Sequence, residues 1–144
     1  MATLADILKP NFITVAPEDT LGEVAEKMMR QNVGAVVVKD FGRLIGILTE
    51  RDMLRAMAAR MHTSEARVRQ WMTADPITAS PDMALDDAAK VMLDHGFRHL
   101  PVTDGETVLG VVSLRRVLGG RRQPAPDPAQ AGIRERESQR AENP

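Results

Sequence analysis

The chain has no cysteine and no tyrosine, and only one tryptophan and three phenylalanines among its 144 residues. Without cysteine, disulfides and thiolate metal sites are excluded, and a reducing compartment is permitted. An aromatic share of 3% argues against nucleic-acid modules that stack bases on exposed rings. Neither sign of charge is in excess: 19 Lys and Arg against 20 Asp and Glu leave −1 overall. No bulk field would hold a polyanion, so any anion site must be local. Long apolar runs are missing too. No stretch nears the roughly 18–20 apolar residues needed to span a bilayer. The first residues, Met1-Ala-Thr-Leu-Ala-Asp6, place an acid where a secretion signal wants bases. The expectation is a cytoplasmic protein with no membrane partner, and with nucleic acid disfavoured.

What the chain does have is a repeat. Residues 7–54 and 71–118 align without a gap at an offset of 64, with eleven identities. Ile13, Thr14, Pro17, Leu21, Ala25 and Met28 face Ile77, Thr78, Pro81, Leu85, Ala89 and Met92. Val38, Asp40, Gly46, Arg51 and Leu54 face Val102, Asp104, Gly110, Arg115 and Leu118. Unrelated stretches of this length would share about three residues, so this is an internal duplication. Each copy is too short for a satisfactory core of its own, and the two are expected to share one. The copies disagree at one informative place, where Thr49-Glu-Arg-Asp52 becomes Ser113-Leu-Arg-Arg116.

Within each copy the pattern reads short helix, short strand, helix, two strands, helix. Leu4–Leu8 is an apolar helical patch ending at Pro10, and Ile13 and Val15 mark a strand closed by Pro17. Thr20-Leu-Gly-Glu23 has the form of a capping box, and Leu21, Val24, Ala25, Met28 and Met29 then mark one helical face. Ala35–Lys39 and Leu44–Leu48 are β-rich runs joined by Asp40-Phe-Gly42. Thr49 opens a helix through about Met61. In the second copy Thr63 or Ser64 caps a segment through Met72, Ile77–Ala79 is a strand, and Gly96 is the natural left-handed stop of the next helix. His99–Thr103 and Val108–Val112 pair across Asp104-Gly105, and a last helix runs from Ser113 to Gly119-Gly120. Residues 121–144 turn to Pro, Ala, Gln and charge, a composition that cannot offset its ordering entropy; a disordered tail is expected.

This order of pieces resembles the CBS domain, named after cystathionine β-synthase, in its tandem form, the Bateman module. The resemblance rests on Ile13-Thr-Val-Ala-Pro17, Asp40 and Gly46-Ile-Leu-Thr-Glu-Arg-Asp52, then Ile77-Thr-Ala-Ser-Pro81, Arg98-His-Leu-Pro-Val102, Asp104 and Gly110-Val-Val-Ser113. It implies an α/β (α+β) fold of two βαββα repeats about a pseudo-twofold axis, with repeats over 1–62 and 63–120. It also implies clefts between the halves that take adenine nucleotides or related adenosyl ligands, and pairing of modules into a disc.

Under that resemblance the first cleft can be argued from chemistry. Gly46 lets a flat ring approach the strand backbone. Val15, Val37 and Ile47 supply apolar walls, and backbone groups from Ile13 to Ala16 read the adenine edge. Thr49 sits at a helix start that favours phosphate, and Asp52 can accept both ribose hydroxyls. Thr49-x-x-Asp52 is equally a capping arrangement, and one carboxylate can do both jobs. In the second cleft Ser113 is present, but Arg116 replaces the acid and accepts no hydrogen bond; it binds a phosphate or leaves that cleft empty. Arg98 and His99 are candidates to face the first cleft's phosphates, against a solvated charge and a strand histidine with a backbone partner. The methionines fall at helical spacing and suit core or dimer packing, with Met57 and Met61 on one helix face.

The function expected is a regulatory module that senses an adenosyl ligand (AMP, ADP, ATP, NAD or S-adenosylmethionine) and signals to an unknown protein target, as a homodimer. No cofactor is required, no metal site is expected, and no nucleophile–base or acid-pair arrangement points to an enzyme. The alternative is a ligand-independent dimeric adaptor with vestigial clefts, for which Arg116 speaks and the Gly46–Asp52 motif does not.

Overall fold

The structure, a computed structural model, describes residues 1–121. The first repeat contains α1 (Leu4–Ile7), β1 (Thr14–Val15), α2 (Leu21–Gln31), β2 (Ala35–Asp40), β3 (Arg43–Thr49) and α3 (Glu50–Ala58). The second contains α4 (Val68–Trp71), β4 (Thr73–Ala74), α5 (Leu85–His95), β5 (His99–Asp104), β6 (Thr107–Ser113) and α6 (Leu114–Arg121). This is the mixed α+β architecture of two repeats that the sequence implied. Beyond Arg121, the tail expected to be disordered lies outside the described residues.

Local chemistry sets the element ends. Thr20 Oγ1 accepts from the Glu23 amide at 3.2 Å and starts α2. Asn32, left-handed at φ 55°, closes it with its N–H on the Met28 and Met29 carbonyls. Gly96, at φ 77°, ends α5 as predicted. The β2–β3 hairpin turns through Phe41 and Gly42, both at positive φ (50° and 76°). That is the backbone of a type I′ turn, whose twist matches the strands.

Four strands form the first sheet in the order β1-β2-β3-β4, with β1 parallel to β2 and the other pairs antiparallel. The second sheet is β5-β6. The strand expected at Ile77–Ala79 shrinks to a single parallel bridge, Ala79 to Val102. The cause is Pro101. In the first repeat the Val37 amide donates to the Ile13 carbonyl at 2.9 Å; Pro101, at the equivalent place, has no N–H to give Ile77.

The two cores are exchanged. Leu4, fully buried, packs with Leu85, Ala88, Ala89, Met92 and Val117 of the second repeat, joined by Ile7 and Leu8. Ala66 and Val68, with Trp71 and Met72, pack instead on the first core around Leu21, Val24, Val36 and Leu48. The backbone follows the same rule. Leu4 N–H donates to the Met83 carbonyl at 2.9 Å, and Val68 N–H to the Asp19 carbonyl at 3.0 Å. Ala5 N–H reaches the Pro81 carbonyl at 2.9 Å, and Arg69 N–H the Pro17 carbonyl at 2.8 Å. Each pair is related by the offset of 64, as a pseudo-twofold exchange requires.

Three boundaries differ from expectation. The segment from Thr63 is not helical until Val68, because its backbone is spent on the start of α2: Leu21 N–H bonds the Ala66 carbonyl and Gly22 N–H the Thr63 carbonyl, both at 2.9 Å. Helix α3 stops at Ala58 rather than Met61, with Arg60 turned left-handed at φ 61°. Helix α6 runs through Gly119-Gly120 instead of stopping there. A Cβ at Gly120 would lie 2.8 Å from Leu85 Cδ1 and 3.0 Å from Ile7 Cγ2, so its absence lets α6 press on α1 and α5.

A candidate ligand cleft between the repeats

Strand alternation decides which side chains leave the first core. Directly paired residues share a face of a sheet. Val36 with Leu48 and Val38 with Gly46 face the core; Ala35 with Thr49 and Val37 with Ile47 face the other way. A cleft of about 550 Å³ opens beside that second face, within the usual range for small-molecule sites. One wall is Ile47 and Thr49, followed by Glu50, Arg51, Asp52 and Arg55 of α3. The linker at Thr73 and Asp75–Ile77 and the segment from His95 to His99 with Pro101 complete the lining.

At the head of α3 the capping arrangement is realised. Asp52 Oδ2 accepts the Thr49 amide at 2.9 Å and the Thr49 hydroxyl at 3.2 Å, while Thr49 Oγ1 accepts the Asp52 amide at 3.4 Å. Asp52 is only 3% exposed. Its other oxygen, Oδ1, lies 3.6 Å from Arg55 Nη1. One carboxylate oxygen therefore holds the helix cap, and the other faces the Arg55 guanidinium.

Across the cleft, His99 meets the first repeat where it has least bulk. A Cβ at Gly34 would lie 3.2 Å from His99 Nε2 and 3.1 Å from Glu50 Cδ. Burial holds the His99 imidazole below its ordinary value of 6.5; Glu50 opposes the shift and Arg98 adds to it. The cleft is charge-balanced, with Arg51, Arg55 and Arg98 against Glu50, Asp52 and Asp75. Asp75, at φ 47°, holds the linker in a left-handed kink, its amide on the Ile45 carbonyl at 3.0 Å. Among the described residues no group of three His, Cys, Asp or Glu is placed to hold a metal ion, and no helix is long and apolar enough to cross a membrane.

Of the residues singled out from sequence, Ile47, Thr49, Asp52, Arg98 and His99 line this one cleft. Val37 shares the Ile47 face but is fully buried. Ile13 and Val15 are buried in the first core. The backbone around them is engaged: the Ile13 carbonyl takes the Val37 amide, and the Ala16 amide bonds Asp19 Oδ2 at 2.9 Å. Gly46 has a different use from the one expected. A Cβ there would meet Met72 Sδ at 2.5 Å and the Thr73 carbonyl oxygen at 3.0 Å, so the missing side chain admits the linker rather than a flat ring. Ser113 caps α6 by accepting the Arg116 amide at 3.2 Å, and Arg116 Nε donates to the Ile7 carbonyl at 2.6 Å, tying α6 to α1.

Sequence reasoning passed over Glu50, Arg55, Asp75 and Phe97 as cleft residues. Arg55 was within reach of it, since three residues after Asp52 is the same helical face. Asp75-Pro76 is a turn signal. Glu50 and Phe97 carry no local signal; only the packing of the halves brings them in.

Comparison with known proteins matches the chain twice to the CBS domain, over residues 4–59 and 68–121. It is 33% identical over 114 residues to the CBS domain-containing protein YhcV of Bacillus subtilis, spanning 79% of this chain and 81% of that one. The CBS protein PAE2072 of Pyrobaculum aerophilum, solved with AMP, superposes with a TM-score of 0.72 at 28% identity, over 80% of this chain and 89% of that one. The CBS domain pair of protein MJ0100, solved with 5′-methylthioadenosine and S-adenosyl-L-methionine, gives a TM-score of 0.75 at 27% identity, over 85% and 99%. Two matched repeats, in register with the observed duplication and filling almost all the described residues, make this chain a member of the CBS-domain family, as a tandem pair.

Proposed function

We propose that the chain is a regulatory module that binds an adenosyl ligand in the cleft between its repeats, and that it is not an enzyme. The observation that carries this is Asp52: a carboxylate 3% exposed, held by its own cap through Oδ2, with Oδ1 accepting no hydrogen bond among the described residues and 3.6 Å from Arg55 Nη1, at a cleft lined by three arginines. A ribose diol supplies the donors that Oδ1 lacks, and the arginines and His99 suit phosphate. Two related CBS pairs were solved with adenosyl compounds, which supports the same ligand class here. The cleft has walls from both repeats, so a ligand filling it favours one relative arrangement of the halves. Only a difference in affinity between arrangements can transmit that to a protein target.

A homodimer accompanies this reading. Leu54, Met57 and Met61 are 65%, 69% and 39% exposed near one end of the molecule's first repeat. Met29 and Leu93, related by the offset of 64, are 83% and 61% exposed. Such apolar side chains suit a symmetric interface. Light scattering of the chain and of Met57→Glu measures this; a monomeric parent removes it.

Calorimetric titration with AMP, ADP, ATP, NAD and S-adenosylmethionine tests the ligand, on the parent and on Asp52→Ala. Binding by one compound that Asp52→Ala abolishes while remaining folded is the expected result. A silent panel favours the adaptor function, for which the structural use of Arg116 is the supporting observation.

A further inference from the structure

The two oxygens of Asp52 are unequally supplied. Oδ2 is satisfied by Thr49. Oδ1 forms no hydrogen bond among the described residues and faces Arg55 Nη1 at 3.6 Å, too far for a hydrogen bond but close enough to balance the charge. Solvent reaches that oxygen, since the one buried side-chain N or O atom without a partner among the described residues is Trp71 Nε1. Arg55 is the cation within ion-pair distance of the oxygen that a ligand hydroxyl would approach. It is also free to leave, since 64% of its side chain is exposed and its stem is long and flexible.

We infer that Arg55 determines the charge class of ligand the cleft accepts: it screens Asp52 Oδ1 when the cleft is empty, yields that oxygen to the ligand's diol, and turns its guanidinium onto a phosphate of the same ligand. This rests on the adenosyl reading of the cleft and adds a preference for anionic, phosphate-bearing adenosyl compounds over neutral or cationic ones. The charge balance gives the reason. While Arg55 faces Asp52, the three arginines and three carboxylates of the cleft offset one another. A neutral nucleoside that displaces Arg55 breaks this pairing and returns nothing to the guanidinium. A phosphate returns a bidentate partner, to which a planar fork is better suited than a lysine ammonium. A sulfonium ligand adds positive charge beside a released arginine and loses on both counts.

Adenosine and AMP differ by the phosphate alone, so their affinity ratio isolates the effect. Titrating the full chain with each, AMP is expected to bind more tightly. In Arg55→Gln the ratio of AMP to adenosine affinity falls about tenfold, the order of one charge-assisted hydrogen bond, with adenosine no weaker than before. Arg55→Lys gives an intermediate ratio. If Arg55 were only part of the helix surface, Arg55→Gln would shift melting temperature or weaken both ligands alike; an unchanged ratio overturns the assignment of Arg55 and leaves the adenosyl cleft standing. Binding of neither compound, by parent or variant, overturns both.

Discussion

Replacing Leu4 by alanine removes a side chain of the first repeat in sequence and opens a hole in the core of the second. Leu4 is fully buried among residues of α5 and α6. Three carbons are lost, worth about 2–3 kcal/mol of transfer free energy at roughly 0.8 kcal/mol per methylene. The cavity left behind raises the total to about 3–4 kcal/mol. For a folded unit of this size that is a fall in Tm of roughly 10–20 °C. The assay uses two probes in urea: circular dichroism for all the helices, and fluorescence of Trp71, the one tryptophan, which packs on the first core. Exchanged cores unfold as one, so both probes should move together to the same lower midpoint. A loss below about 1 kcal/mol refutes the burial argument. A Trp71 transition that stays in place while the dichroism splits refutes the coupling of the halves.

Gly46→Ala and Gly110→Ala should each cost about 1–3 kcal/mol, because the new Cβ presses on the linker (Met72 and Thr73) in one case and on Leu8 and the Lys9 carbonyl in the other; denaturant midpoints equal to the parent would mean that the linkers yield freely. His99 gives a pH dependence with a definite sign. Its folded-state value is held below 6.5 by burial, so between the two values the unfolded chain binds more protons. The stability involved is present above 6.5 and lost as pH falls through the lowered value. His99→Gln should flatten the acid side of the stability profile; parent and variant falling in parallel would place the acid sensitivity elsewhere.

The repeat, the hairpins and the caps at Thr20, Thr49 and Gly96 were legible because each depends on residues close in sequence. Even the truncated strand near Ala79 had its cause in view, in Pro101. The exchange of α1 and α4 between cores was not legible, since each is four residues long and the second-repeat core residues around Leu4 are at least 75 residues from it, while the first-repeat core residues around Val68 are 12–55 from it in the chain. Gly46 shows the same limit at one residue. A strand glycine announces a close approach, and the register, unknown from sequence, decides which face is approached and by what. The capping role of Asp52 was legible, its ligand role is the proposal made above, and Arg55 acquires meaning only beside Oδ1. Arg116 was legible as a departure from the acid; its bond to the Ile7 carbonyl depends on the exchanged helix.

The most direct measurement is a nitrogen–proton correlation spectrum of the labelled chain, titrated with AMP. Amides of Thr49 through Arg55 and of Arg98 and His99 should shift together along one saturating curve, while Ser113 and Arg116 stay in place. Saturable shifts centred on Ser113 and Arg116, or none on the Thr49–Asp52 cap, would contradict a ligand site in the cleft between the repeats.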